Sequence, residues 1–350
     1  MNLYLSPSVM IAIFIIVLFT TNHIYAAENI DGNTIPNNNS LNIAVASDWG
    51  CTKDTKKTSQ NIQDKNPELV IAPGDLSYEE SAECWIDIIS PFKSQLMISM
   101  GDHEYQDTEG GESGIMNTYL NPLELPKTYY AFDFNNVHFV AIDPYVDYSH
   151  NSDQYQFIEN ELKTASTNPD IDWIFVMEHK PIYTSPTEHP ADSKIRDVFH
   201  PLFQKYGVDI VFSGDNHNYQ RTFPLKYNNN NGDSSNSIIS SSNQNNYKEN
   251  TGVIYVTSGT ADKSHYELQQ QAPFVAKQDD KHFGFLNIDV DDKTVKGTFY
   301  ANENANENAN ENANENANEP SYYYVTNQNN AIDHFTISKI KEVSLLTLKE

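Results

Sequence analysis

The stretch LNIAVASDWG, residues 41–50, joins an apolar run to a short polar turn that carries Asp48. An apolar run with little polar alternation marks a strand buried on both faces, the kind that builds parallel sheets under helices. The same construction recurs along the chain. Leu69–Ala72 leads to GDLSY at 74–78, Leu96–Met100 to GDHE at 101–104, Trp173–Met177 to EHKP at 178–181, and Val208–Phe212 to SGDNH at 213–217. Between them, Gln154–Ala165 and Ile195–Tyr206 carry apolar residues at the three-to-four spacing of amphipathic helices. Strands alternating with helices predict an α/β domain whose sheets are covered by helices. Ligands of such domains gather outside the carboxyl ends of strands, and all of these motifs sit there.

Composition agrees with a folded, acidic, enzyme-like chain. The 350 residues are 38% hydrophobic and 12% aromatic, enough to bury a sizeable core. Lysine plus arginine is 22 and aspartate plus glutamate 48, so the formal charge is 22 − 48 = −26. That field repels phosphate backbones and argues against nucleic-acid binding. Two cysteines exclude a disulfide-dense scaffold and any multi-cysteine zinc module.

The ends and interruptions divide the chain. Val9–Phe19 is an apolar run, with no charged side chain before Glu28. It is too short to cross roughly 30 Å of hydrocarbon, but it suits a signal peptide over residues 1–26, with Ala26 and Ala27 at the cleavage point. The expected protein is therefore secreted or extracytoplasmic, with no stable membrane span after cleavage; an uncleaved segment would anchor it at the cell surface. Export permits a disulfide between Cys51 and Cys84, which follow the first two acidic strand ends; the alternative is a pair of buried thiols.

After a polar linker at 27–40, the main domain is expected at 41–300. It is interrupted at 228–250 by an asparagine- and serine-rich insertion, read as loop or disorder. Later strands are expected at Val253–Thr257, Phe285–Val290, Val295–Tyr300 and Ile332–Ile340. Residues 301–320 repeat Ala-Asn-Glu-Asn, which would stack like charges on a helix and offers nothing large to bury, so it reads as a solvated insertion. Residues 321–340 then supply a final strand, and 341–350 a tail.

The motifs bring carboxylates, histidines and a tyrosine to one edge. Packed carboxylates without partners are costly and call for cations, and oxygen and imidazole donors suit iron, manganese, zinc or magnesium. Taken singly, an aspartate after a strand is more often a helix cap. Their joint order is more specific: SDWG, GDLSY, GDHE, VMEH and GDNH, spanning Asp48 to Arg221 with NVHFVAID and HNYQR alongside. It resembles the purple acid phosphatase branch of the calcineurin-like metallophosphoesterases. The resemblance implies a two-sheet α/β sandwich flanked by helices, in four layers α-β-β-α. It also implies two metal ions, iron plus a divalent iron, manganese or zinc. Asp48, Asp75, Tyr78 and His217 would hold the first, and Asp75, Asp102, His179 and Asp215 the second. His103 would act on the substrate as the outer histidine. His189 falls where plant members have the second of two adjacent histidines, which would make it catalytic too, although its neighbour here is Glu188 instead of histidine.

Two departures fall on the second metal. Asp102 stands for the family's asparagine and Asp215 for the first histidine of its G-H-x-H motif. Each adds a negative charge and hardens the site. The implied activity is two-metal hydrolysis of a small phosphate monoester by a metal-activated water. The alternative is a non-catalytic or weakly active metal- or phosphate-binding module at the cell surface. Oligomeric state is not legible.

Overall fold

The computed structural model describes residues 40–79, 81–105, 118–125, 127–228, 237–302 and 330–339. The expected signal peptide, most of the linker and repeat, and the tail lie outside them. Sixteen strands run in chain order: β1 (Leu41–Val45), β2 (Leu69–Pro73), β3 (Leu96–Ser99), β4 (Tyr130–Phe134), β5 (Val137–Ala141), β6 (Trp173–Met177), β7 (Ile210–Ser213), β8 (Tyr219–Thr222), β9 (Leu225–Tyr227), β10 (Ser237–Ile239), β11 (Asn246–Lys248), β12 (Ile254–Ser258), β13 (Val275–Asp279), β14 (Gly284–Val290), β15 (Thr294–Ala301) and β16 (Ala331–Ser338). The longer helices are α1 (Lys53–Lys65), α2 (Glu83–Ile89), α3 (Asp153–Ala165) and α4 (Ser193–Tyr206).

The strands form two seven-stranded mixed sheets and a small hairpin of β9 and β10. The first sheet runs β11-β16-β15-β14-β1-β2-β3 and the second β13-β8-β12-β7-β6-β5-β4. Strands β1, β2 and β3 are parallel in the first; β5, β6, β7 and β12 are parallel in the second.

Alternation along each strand explains the layers. In β1, Ile43 and Val45 point between the sheets, where they join Phe139, Phe175, Phe212 and Ile288. Ala44 and the following Ala46 face the other way, onto Trp49, Ile62, Trp85 and Ile89 beneath α1 and α2. Val140, Val176 and Val211 likewise back onto Ile158, Leu162, Ile195, Phe199 and Phe203 of α3 and α4. Three cores between four layers give the α-β-β-α sandwich. Each fully buried Ile or Phe contributes about 1.5–3 kcal/mol, so two-sided burial is what turned these strands into unbroken apolar text.

The chain's late part differs from expectation in two places. The 228–250 segment is not all loop: β10 and β11 form within it, β11 pairs in parallel with β16, and Tyr247 is buried. The reason is a partner invisible to local composition. Arg221 makes a two-armed contact with Asp333 of β16, its Nε 2.6 Å and its Nη2 3.0 Å from that carboxylate, and donates to the Tyr247 hydroxyl. The start of the repeat is also docked. Ala301 ends β15, and Asn302 bonds Thr58 and Asn61 of α1 at 2.8 and 2.7 Å.

Cys51 and Cys84 are joined in a disulfide, Cα atoms 5.9 Å apart. The bridge ties the start of α1 to α2. A loop of this size stabilises by roughly 3–4 kcal/mol on the chain-entropy account.

Candidate metal centre

The seven parallel strands point their carboxyl ends to one edge, and the loops leaving them meet there. Loop β1–α1 brings Asp48; the loop after β2 brings Asp75 and Tyr78; the loop after β3 brings Asp102 and His103. From the second sheet come His179 after β6 and Asp215 and His217 after β7. Four of these residues take positive φ: Asp48 58°, Asp75 51°, Tyr78 59° and Asp215 63°. Aspartate tolerates the left-handed region, whereas tyrosine adopts it rarely, at a cost of order 1–3 kcal/mol. Half of the eight positive-φ non-glycine residues among the described residues lie in this one cluster, so local strain is concentrated where the side chains converge. Gly74, at φ +84°, permits the convergence. A Cβ there would lie 2.7 Å from the Gly101 nitrogen and 2.5 Å from His179 Nδ1.

The residues form two overlapping groups. In Asp48, Asp75 and His179, and again in Asp102, His179 and Asp215, the donor atoms lie within 4.8 Å of one another. His179 Nε2 is 3.4 Å from Asp75 Oδ1, 3.4 Å from Asp102 Oδ1 and 3.7 Å from Asp215 Oδ1. The Tyr78 hydroxyl donates to Asp48 Oδ1 at 3.0 Å and lies 2.9 Å from His217 Nε2, which is 3.4 Å from the same Asp48 oxygen. So Asp48, Asp75, Tyr78, Asp102, His179, Asp215 and His217 are all brought together.

Both inward-facing histidines are oriented by backbone carbonyls. His179 Nδ1 donates to Pro73 O at 2.8 Å and His217 Nδ1 to Ser264 O at 2.7 Å, leaving each Nε2 aimed inward. That arrangement fixes the tautomer a cation needs. Glu104 holds the loops themselves. Buried, its carboxylate accepts from the backbone N–H of Asp75, Leu76 and Gly101 at 3.0, 2.9 and 2.8 Å.

Electrostatics leave the cluster short of positive charge. Burial raises the carboxyls of Asp75 and Asp215 above the ordinary range. Burial also acts to raise Asp48, but its contacts with His217 leave it below that range. The nearby His179 ring holds the half-exposed Asp102 low. Burial alone would lower His179, yet Asp75 and Asp102 push it well above its usual value. Asp48 Oδ2 and His179 Nε2 are buried without a hydrogen-bond partner. Orphaned oxygen and imidazole donors facing one another among carboxylates fit hard or borderline cations.

The two substrate candidates sit at the margin. His103 packs against Tyr78 with the rings tilted and their centroids 4.2 Å apart, and its Nε2 is 3.8 Å from Asp75 Oδ2. Burial lowers its pKa; Asp102 opposes this, and the charge of Lys263 reinforces it. His189 is pinned through its backbone N–H to Asn216 Oδ1 at 3.1 Å, and its ring packs edge-on against Tyr266 at 5.3 Å.

Sequence reasoning missed three residues of the site. Tyr145, after β5, donates to Asp102 Oδ1 at 3.3 Å. Tyr266 and Lys263, after β12, stack on His217 at 3.8 Å and over the Tyr78 ring at 4.1 Å. The signal was present: NVHFVAIDPY and VIYVTSGTADK also end parallel strands, and the strand-end rule applied to the other five covers them too.

A two-sheet sandwich with acid and histidine ligands gathered at the carboxyl edge is the architecture of a metallophosphoesterase. Residues 41–219 match the calcineurin-like phosphoesterase family, and the chain belongs to it. Its homologues include the plant purple acid phosphatases. It is 30% identical to purple acid phosphatase 22 of Arabidopsis thaliana over 56% of this chain and 48% of that protein. It is 28% identical to the probable inactive purple acid phosphatase 24 of the same plant, over 67% of this chain and 41% of that one. Among solved structures, the purple acid phosphatase from yellow lupin (Lupinus luteus) seeds superposes with a TM-score of 0.64 at 21% identity, covering 86% of this chain and 54% of that one. The chain spans about half the length of the curated relatives it matches.

Proposed function

We propose that the chain is a metal-dependent phosphatase that hydrolyses phosphate monoesters outside the cytosol. The observation that carries this reading is the pair of acid–histidine groups sharing His179, with Asp48 Oδ2 and His179 Nε2 buried and unpartnered. Asp48, Asp75, Tyr78 and His217 are the donors for one cation; Asp75, Asp102, His179 and Asp215 are those for the other. Iron with a second divalent ion suits a set containing tyrosine. Two such ions would activate water and clamp the phosphoryl oxygens.

The chain's own residues supply the rest. Partly exposed and held against Tyr78, His103 can meet an ester arriving from solvent. With its pKa lowered, the ring gives up a proton readily, which suits protonation of the leaving oxygen at acidic pH. His189, on the Asp215 side, would bind the phosphoryl group. Tyr145 fixes the carboxylate of Asp102. The Cys51–Cys84 disulfide supports an oxidising compartment. Among the described residues, no helix is long and apolar enough to cross a membrane.

A second reading is favoured by one observation. Asp102 is 47% exposed and, with Asp215, loads the second group with carboxylates, so this site can be weak or unfilled. The chain would then be a metal- or phosphate-binding module of little activity, as the name of one relative suggests for that protein. Metal content together with p-nitrophenyl phosphate turnover separates the two. Two metals with turnover supports the phosphatase; one metal without turnover supports the module.

A further inference from the structure

We propose that Lys263 is a substrate-binding residue, a lysine held at the mouth of the centre to receive the outer oxygens of a phosphate ester. The inference rests on the phosphatase reading of the same site and adds a contact to it. Four carboxylates, Asp48, Asp75, Asp102 and Asp215, face any anion that approaches, and bound cations are largely committed to them. In a chain with 22 basic and 48 acidic residues, a fixed positive charge beside them is not a background feature. Lys263 Nζ lies 4.1 Å over the Tyr78 ring, and the His103 ring is tilted against the same tyrosine with centroids 4.2 Å apart, so the ammonium and the outer histidine share one aromatic neighbour.

The lysine is also held in place. Its backbone N–H donates to Asp48 O at 3.2 Å. On one side of it, the buried Asp262 accepts from Thr52 and Thr55 at 2.5 Å each. On the other, Ser264 O accepts from His217, and Tyr266 N donates to His217 O at 3.1 Å. A long cationic side chain normally loses rotamer freedom when it grips an anion; pinning the backbone on both sides reduces what remains to be ordered. An ammonium over an aromatic face keeps donors free for a second partner, since the ring takes none of its hydrogen bonds.

The test uses the full, metal-loaded protein as wild type, Lys263→Met, Lys263→Gln and Lys263→Arg, with Lys281→Met as control. Lys281 is an exposed lysine paired with Asp280. Inorganic phosphate binding is measured by calorimetry, and kcat and KM are measured with p-nitrophenyl phosphate at two salt concentrations. Lys263→Met and Lys263→Gln should weaken phosphate binding and raise KM about tenfold, equivalent to about 1.4 kcal/mol, with kcat and metal content little changed. Their KM should respond less to salt. Lys263→Arg should keep affinity within about threefold, and Lys281→Met should match wild type. Phosphate binding that depends on Lys263 in a protein with no turnover would sink the phosphatase reading and leave this assignment standing. Phosphate affinity unchanged in both neutral variants, or no phosphate binding by the wild type, would overturn it.

Discussion

Replacing Glu104 with alanine should loosen the centre without touching a ligand. Its carboxylate is buried and receives three backbone N–H groups, two from the Asp75–Leu76 turn and one from Gly101, so it fastens the loop after β2 to the loop after β3. A hydrogen bond to a charged acceptor contributes about 1.5–3 kcal/mol net. Three that share one acceptor do not add, because losing the acceptor is a single event that leaves three donors stranded. We expect Glu104→Ala to cost about 3–5 kcal/mol, a large share of the roughly 5–15 kcal/mol that holds a typical domain. Glu104→Gln keeps the volume and one carbonyl oxygen but turns an amide N–H₂ toward the other donors, so about half the loss is expected. Urea unfolding of the chelated proteins measures the first effect. Metal stoichiometry measures the second, which should fall because Asp75 belongs to both proposed ligand sets. A Glu104→Ala protein that loses under about 1 kcal/mol and keeps its full metal content would refute the idea that this carboxylate builds the site.

Other expectations follow from the same geometry. If Tyr78 binds iron, the iron-loaded protein has a visible charge-transfer band, and Tyr78→Phe removes it; a surviving band takes Tyr78 out of the ligand set. Asp215→His removes one negative charge, so phosphate should bind more tightly and the acidic limb of the pH–rate profile should move to lower pH; metal count, affinity and profile all unchanged would show that position 215 does not touch the metals. Chelation should make stability fall with rising pH. Despite burial, Asp75 and Asp102 hold His179 well above its ordinary pKa, so its contribution is complete below about pH 6.5 and is lost as pH climbs through the raised value. Metal loading should abolish that decline and release protons, which thermal unfolding and unbuffered titration would detect.

The candidate donors were readable because each follows an apolar, largely buried strand. Ile43, Val70, Val176 and Val211 had to be apolar, and the first polar residue after each run marks the strand end. Where the fold is held by polar groups, that text disappears. α1 buries Thr55, Thr58, Ser59 and Asn61 with Ile62 as its one buried large aliphatic, so no apolar stripe announces it. β8 is fully buried yet reads Tyr-Gln-Arg-Thr; Gln220 and Arg221 are satisfied by Thr184, Asn218 and Asp333, which are distant in sequence or of no propensity value. Tyr145 and Lys263 were missed for another reason: both follow parallel strands as the other candidates do, but neither is an acid or a histidine, so a search for metal donors passed over them.

The centre has a consequence for biogenesis. Its contacts join residues far apart in the chain, Tyr78 to His217 across 139 positions and His179 to Pro73 across 106, and the first sheet supplies four of the seven candidate donors while the second supplies three. Neither sheet alone owns a complete set, so the side chains meet only when the two sheets pack together. A cation held by donors from both sheets would bind tightly only once the sheets have packed together, so metal binding would report on completed folding.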